Sequence, residues 1–127
     1  MPELKRLPAT RIVATPAALD AAEWPDDTLA LRFAPDELLV TPPVANLALD
    51  DPHAIIIADS GYAGVWLPEA EALAFLERAC EWELPPQRPA FAQGAVAGIA
   101  AKLWFEAGRV LLIVPAPLIA DFEERMA

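Results

Sequence analysis

Cysteine and histidine each occur once in this chain of 127 residues, as Cys80 and His53. A lone cysteine forms no internal disulfide, and one Cys with one His falls short of the three or four ligands that a structural zinc site needs. Glycine is scarce too, at five scattered positions, so no Gly-rich loop is present to cradle a phosphate. Nine basic residues face nineteen acidic ones, and the formal charge of −10 repels phosphate backbones instead of releasing counterions from them. Nucleic acid and anionic membranes are therefore not expected partners. The uncharged runs Leu38–Leu49, Pro89–Ala101 and Val110–Ala120 all fall short of the roughly 18 residues of a bilayer span, and Pro, Gly or Asn interrupts each. The stretch Met1–Pro8 carries positive charge without an apolar segment behind it, so no secretory leader is expected and the cytoplasm is the expected compartment.

What is present is the composition of a packed domain. More than half of the residues are apolar, and the fourteen prolines are spread along the chain. At this length about two-thirds of the unfolded surface can be buried, which points to a single domain over residues 1–127. Residues 1–27 read as an irregular lead-in, in which Pro16–Glu23 can form one short helix before Trp24-Pro25 stops it.

Leu29, Leu31 and Phe33 alternate with smaller or charged neighbours. The turn Ala34-Pro35-Asp36-Glu37 and the resumed Leu38-Leu39-Val40 then make a β-hairpin, followed by a loop over Val44–Pro52. His53–Ala58 contains three consecutive isoleucines, apolar on both faces, and is expected as an interior strand. Tyr62–Leu67 is a further strand. Pro68–Trp82 is the clearest helix, with Ala72, Leu73, Leu76, Ala79 and Cys80 on one face and acidic residues in its first turn.

A Pro-rich loop is expected from Leu84 to Gly94. Residues 97–106 alternate as a strand, Ala107-Gly108 turns the chain, and Val110–Val114, apolar on both faces, is expected to be central. Leu118, Ile119, Phe122 and Met126 mark a C-terminal helix over residues 116–126. The order ββ-ββ-α-ββ-α implies an α+β fold, a mostly antiparallel sheet with helices on one face.

Catalytic signals are thin. Asp59-Ser60-Gly61 lacks the Gly-x-Ser-x-Gly frame, and these residues read as local backbone partners with Gly61 supplying turn freedom. Cys80, on an acidic helix near its C-terminus, is expected to be an inert thiol with a raised pKa. The acidic pairs Asp26-Asp27 and Asp50-Asp51 and the glutamates 69, 71, 81 and 83 read as solvated charge. No catalytic or metal-ligating residue is assigned. The four tryptophans are more telling. Trp66 and Trp104 lie on strands whose other face already has apolar residues for the core, so they are the expected contact surface.

The segments Arg32–Val40, His53–Ser60, Cys80–Leu84, Phe91-Ala92-Gln93-Gly94 and the terminal hairpin and helix together resemble the sarcosine oxidase gamma-subunit family. That family is related to the folate-binding group of the glycine-cleavage aminomethyltransferase. The resemblance covers roughly Leu31 to the C-terminus, and it departs at Gly61-Tyr62-Ala63, where relatives often carry a His and basic residues. It implies a ferredoxin-like arrangement and a non-catalytic accessory role in one-carbon metabolism, either beside larger oxidase-type subunits or as a homo-oligomer. Flavin or folate would then come only through partner subunits, with no cofactor on this chain. The alternative it leaves open is a small-ligand module for a folate-like or amino-acid molecule, with Asp59, Tyr62 and Arg109 as the candidate pocket.

Overall fold

Five consecutive apolar residues, Val110 to Val114, offer no polar face to water, and the computed structural model, which describes residues 3–127, buries all five. They form most of β9 (Arg109–Pro115). The chain divides into two units: residues up to Arg6 join Gly61–Ala127 in the first, and Leu7–Ser60 make the second. Met1 and Pro2, at the start of the N-terminal stretch considered above, lie outside the described residues.

In the first unit, β1 (Lys5–Arg6), β6 (Tyr62–Pro68), β7 (Ala90–Val96) and β8 (Ile99–Glu106) join β9 in a five-stranded antiparallel sheet of order β1-β6-β9-β8-β7. The central position expected for β9 is thus observed. Ile99, Ala101, Leu103 and Phe105 alternate inward along β8 and meet Val110, Leu112 and Val114 of β9 on one face. Helices α2 (Glu69–Ala79) and α3 (Ile119–Met126) both pack on that face through Ala72, Phe75, Leu76, Phe122 and Met126, and a 3-10 turn over Ala116–Leu118 leads into α3. The Phe75 and Phe122 rings meet edge to face, with centroids 6.0 Å apart.

The helix expected over Pro68–Trp82 is shorter. Pro68 still belongs to β6, and the helix stops at Ala79, whose carbonyl accepts the Ala97 N–H at 2.8 Å. Glu69 does more than suit the helix dipole. Arg88 donates to it at 2.7 Å, and that bond holds its carboxyl below the usual glutamate range.

Residues 84–89 are irregular as expected, but from Ala90 the expected loop is instead strand β7, an edge strand paired with β8 along its whole length. Its Ala, Gln and Gly residues carry weak strand preference, so only the pairing reveals it. Trp82 lies flat on Gly94, where an added Cβ would come within 2.7 Å of the indole, and the indole N–H donates to the Ala95 carbonyl at 2.8 Å. Ala97, expected on a strand, sits with Gly98 in the following turn at positive φ.

The second unit holds β2 (Ala9–Val13), α1 (Pro16–Ala21), β3 (Leu29–Ala34), β4 (Glu37–Thr41) and β5 (Ile55–Asp59), in an antiparallel sheet of order β3-β4-β2-β5. Ile12, Leu38 and Val40 pack with Ala18 and Leu19 of α1. The β3–β4 hairpin is as expected. The irregular lead-in is not, because β2 is a central strand.

Local pattern obscured β2 because Thr10 and Arg11 interrupt it, and both are accommodated by partners distant in sequence. The Thr10 hydroxyl takes the Val44 N–H at 3.0 Å, and Arg11 pairs with Glu37 at 2.6 Å. Helix α1 starts at Thr15, whose Oγ1 accepts the Ala18 N–H at 3.2 Å.

Both units are mixed helix and antiparallel sheet, so the fold class is α+β. The finer ferredoxin-like expectation is not supported. Three successive antiparallel pairings separate β6 from β7, so the two strands joined through α2 run in opposite directions, where a split βαβ would make them parallel. Replacing the fully buried Phe122 by Ala should cost about 3–5 kcal/mol, read as a lowered urea midpoint at unchanged m-value.

Candidate interaction surface

Three adjacent isoleucines on a strand send side chains to both faces, so a strand with neighbours on each edge and cover on each face would bury all of them. β5 has one neighbour. It pairs only with β2, in unbroken register from Ile55 opposite Val13 to Asp59 opposite Ala9, and forms an open edge of its sheet among the described residues. Ile55, Ile56 and Ile57 are 54%, 43% and 50% exposed, the only large apolar residues classed as exposed among the described ones.

The interior-strand expectation is therefore overturned. The interior places of this sheet go to β2 (9–13), which pairs with β4 and β5, and to β4 (37–41), which pairs with β2 and β3. Each half-exposed isoleucine leaves on the order of 1 kcal/mol of burial free energy unrealised. No local signal marks this outcome, since an isoleucine run reads the same whether or not a second neighbour arrives.

Trp66 and Trp104 lie on the sheet face of the first unit opposite α2 and α3. Both are opposite Leu111 in register, one from β6 and one from β8, so the three form a cross-strand row. Both rings are half-buried, and their surroundings are polar and ordered. The Arg109 guanidinium lies 3.7 Å from the centroid of Trp66, and its Nε donates to Glu106 at 2.9 Å. The Trp104 indole N–H donates to the other oxygen of Glu106 at 3.3 Å. The face expected from sequence thus exists as a face, with its charged and indole groups partnered inside the unit.

No protein-family model matches this chain, and no curated protein matches it.

Of the three candidate pocket residues, Tyr62 and Arg109 do not converge. Asp59 ends β5 in the second unit, while Tyr62 opens β6 and Arg109 opens β9 in the first. Tyr62 is opposite Pro115 and Arg109 is opposite Pro68, so six residues of strand, roughly 20 Å, separate the two. A cavity of about 650 Å³ lies elsewhere in the first unit, between the end of α2 and the β7–β8 turn, lined by Phe75, Arg78, Trp82, Gly98 and Arg125 among others. Arg125 there donates to the Ala97 carbonyl at 2.6 Å, which clamps the turn.

Gly61, expected to supply turn freedom, is not at positive φ, and its carbonyl accepts the Ala116 N–H at 2.8 Å. Asp26, Asp27, Asp50, Glu71, Glu81 and Glu83 are exposed. Asp51 has a structural task, accepting the backbone N–H groups of His53 and Thr15, each at 2.9 Å, which hold its carboxyl below the usual range. Among the described residues, no group of three or more His, Cys, Asp or Glu side chains could hold a metal ion. No helix of the described residues is long and apolar enough to cross a membrane.

Cys80 caps the end of α2 and packs, half-buried, against the cluster of the first unit. Its thiol is pushed up by burial, the direction expected from sequence but by a different cause than nearby carboxylates. Native protein should therefore react with a thiol reagent at neutral pH far more slowly than the urea-unfolded chain, a comparison read directly from the labelling rates.

Proposed function

We propose that this chain is a non-catalytic interaction or accessory subunit of the kind represented by the gamma subunit of heterotetrameric sarcosine oxidase. The observation that carries the reading is the open β5 edge with its three exposed isoleucines. Such an edge presents unpaired N–H and C=O groups beside apolar side chains, and proteins either protect it with charge, proline or a bulge or use it to add a strand from elsewhere. Apolar side chains on both faces of β5 fit the second use. The resemblance in residues 31–127 supplies the class of assembly, in which flavin and folate belong to the larger chains and this chain contributes contact surface.

Light scattering tests this reading. The purified chain, alone and after co-expression with the chains encoded beside it, should give a mass above that of one 13.7 kDa protomer in at least one of the two conditions. A single protomer mass in both would overturn it.

A second reading is favoured by the cavity between α2 and the β7–β8 turn, where Arg78, Glu81 and the Trp82 indole suit a small charged molecule with a flat apolar body. Trp82 reports on that cavity directly. If a folate-like or amino-acid ligand binds there, tetrahydrofolate or sarcosine should shift tryptophan emission saturably, and Arg78→Ala should weaken the effect by roughly tenfold, about the loss expected for one charged hydrogen bond. An unresponsive emission spectrum would remove this reading.

A further inference from the structure

The two edges of the second unit's sheet are treated differently. At the β3 edge the register shifts between Arg32 and Ala34, a bulge, and Arg32 is tied to Asp20 at 2.9 Å. Bulges and charged side chains are the usual means of keeping an edge strand from pairing. At the β5 edge the register is unbroken, and no lysine, arginine or proline occurs within Ile55–Asp59. One edge is closed to strand addition and the other is open to it.

We infer that the strand added at this edge is β5 of a second copy of the chain, antiparallel about a twofold axis through the Ile56 pair. This rests on the contact reading above and names its occupant. When Ile56 faces Ile56 of the second copy, Ile55 faces Ile57 and Ala54 faces Ala58, so every isoleucine meets an isoleucine and the small residues meet each other. Centring the axis on Ile57 instead would set Ile55 against Asp59, and a parallel alignment would set Asp59 against Asp59. The twofold at Ile56 is the arrangement in which apolar positions coincide and no like charges are opposed.

The sheet interior points the same way. Leu38, Ile12 and Ile56 form one cross-strand row on the face covered by α1; Leu38 and Ile12 are buried, and the row ends in the half-exposed Ile56. A second copy continues it through its own Ile56, Ile12 and Leu38, giving an eight-stranded sheet without an isoleucine edge. Each copy carries a charge of −10, so long-range repulsion opposes this pairing and salt relieves it. A partner that docked by basic residues would show the opposite salt dependence.

Sedimentation equilibrium of the full chain from low to high micromolar concentration, in low and in high salt, tests the inference together with Ile56→Lys and Ile56→Glu. The wild type should pass from protomer to dimer with concentration and dimerise more tightly in high salt. Each variant should be monomeric with unchanged far-UV circular dichroism, and an equimolar mixture of the two should recover a dimer, because the two side chains then face each other across the axis. Amide hydrogen exchange of the wild type should slow in β5 as concentration rises, a measurement that needs no variant to fold.

A wild type that stays monomeric throughout overturns the second copy as occupant but leaves the contact reading to the co-expression result. A dimer that survives both substitutions, or one without added β5 protection, overturns the edge as its interface. Failure of the mixture to dimerise overturns the register.

Discussion

The ladders that β9 makes with β6 on one side and β8 on the other hold the first unit together. All five of its central residues are buried, with Val110, Leu112 and Val114 in the cluster beneath α2 and α3 and Leu111 and Ile113 on the opposite face. Once β9 is in place, the alternation in β8 has one consistent orientation, with Leu103 and Phe105 beside Leu112 and Val110. The same register puts Trp66 and Trp104 on either side of Leu111. Packing of the helices and ordering of the tryptophan row are thus consequences of one strand's place in the sheet.

β5 is the counter-case. Its isoleucines are as apolar as the central residues of β9, yet they stand half in water because, among the described residues, one edge of β5 has no neighbour. Backbone pairing propagates from strand to strand until something stops it. At β3 the register breaks in a bulge beside the Arg32–Asp20 pair, whereas the register of β5 with β2 is unbroken.

The polar groups of the first unit serve mainly to fix positions. Glu106 joins Arg109 and the Trp104 indole, Arg109 covers Trp66, Arg88 holds Glu69, and Arg125 secures the turn at Ala97. Most of these pairs are partly exposed, where each contributes little stability but orients an aromatic ring or a turn. Cys80 belongs with them as a packed side chain whose thiol is kept protonated by its surroundings.

The amino-acid pattern by itself determined the α+β class, the β3–β4 hairpin, the cores of α2 and α3, the central place of β9 and the shared face of Trp66 and Trp104. In each case the signal is local: hydrophobic period, turn residues and proline positions act within a few residues. Tertiary structure alone decided the rest. β2 and β7 are strands because partners supply what their Thr, Arg, Gln and Gly residues lack, and those partners are Val44, Glu37 and β8. Strand register likewise sets Tyr62 and Arg109 at opposite ends of one β6–β9 ladder. Whether Ile55–Ile57 would be buried or exposed was likewise beyond local pattern. An isoleucine favours a strand wherever it stands, but the number of neighbours that strand acquires depends on how segments distant in sequence share out the sheet.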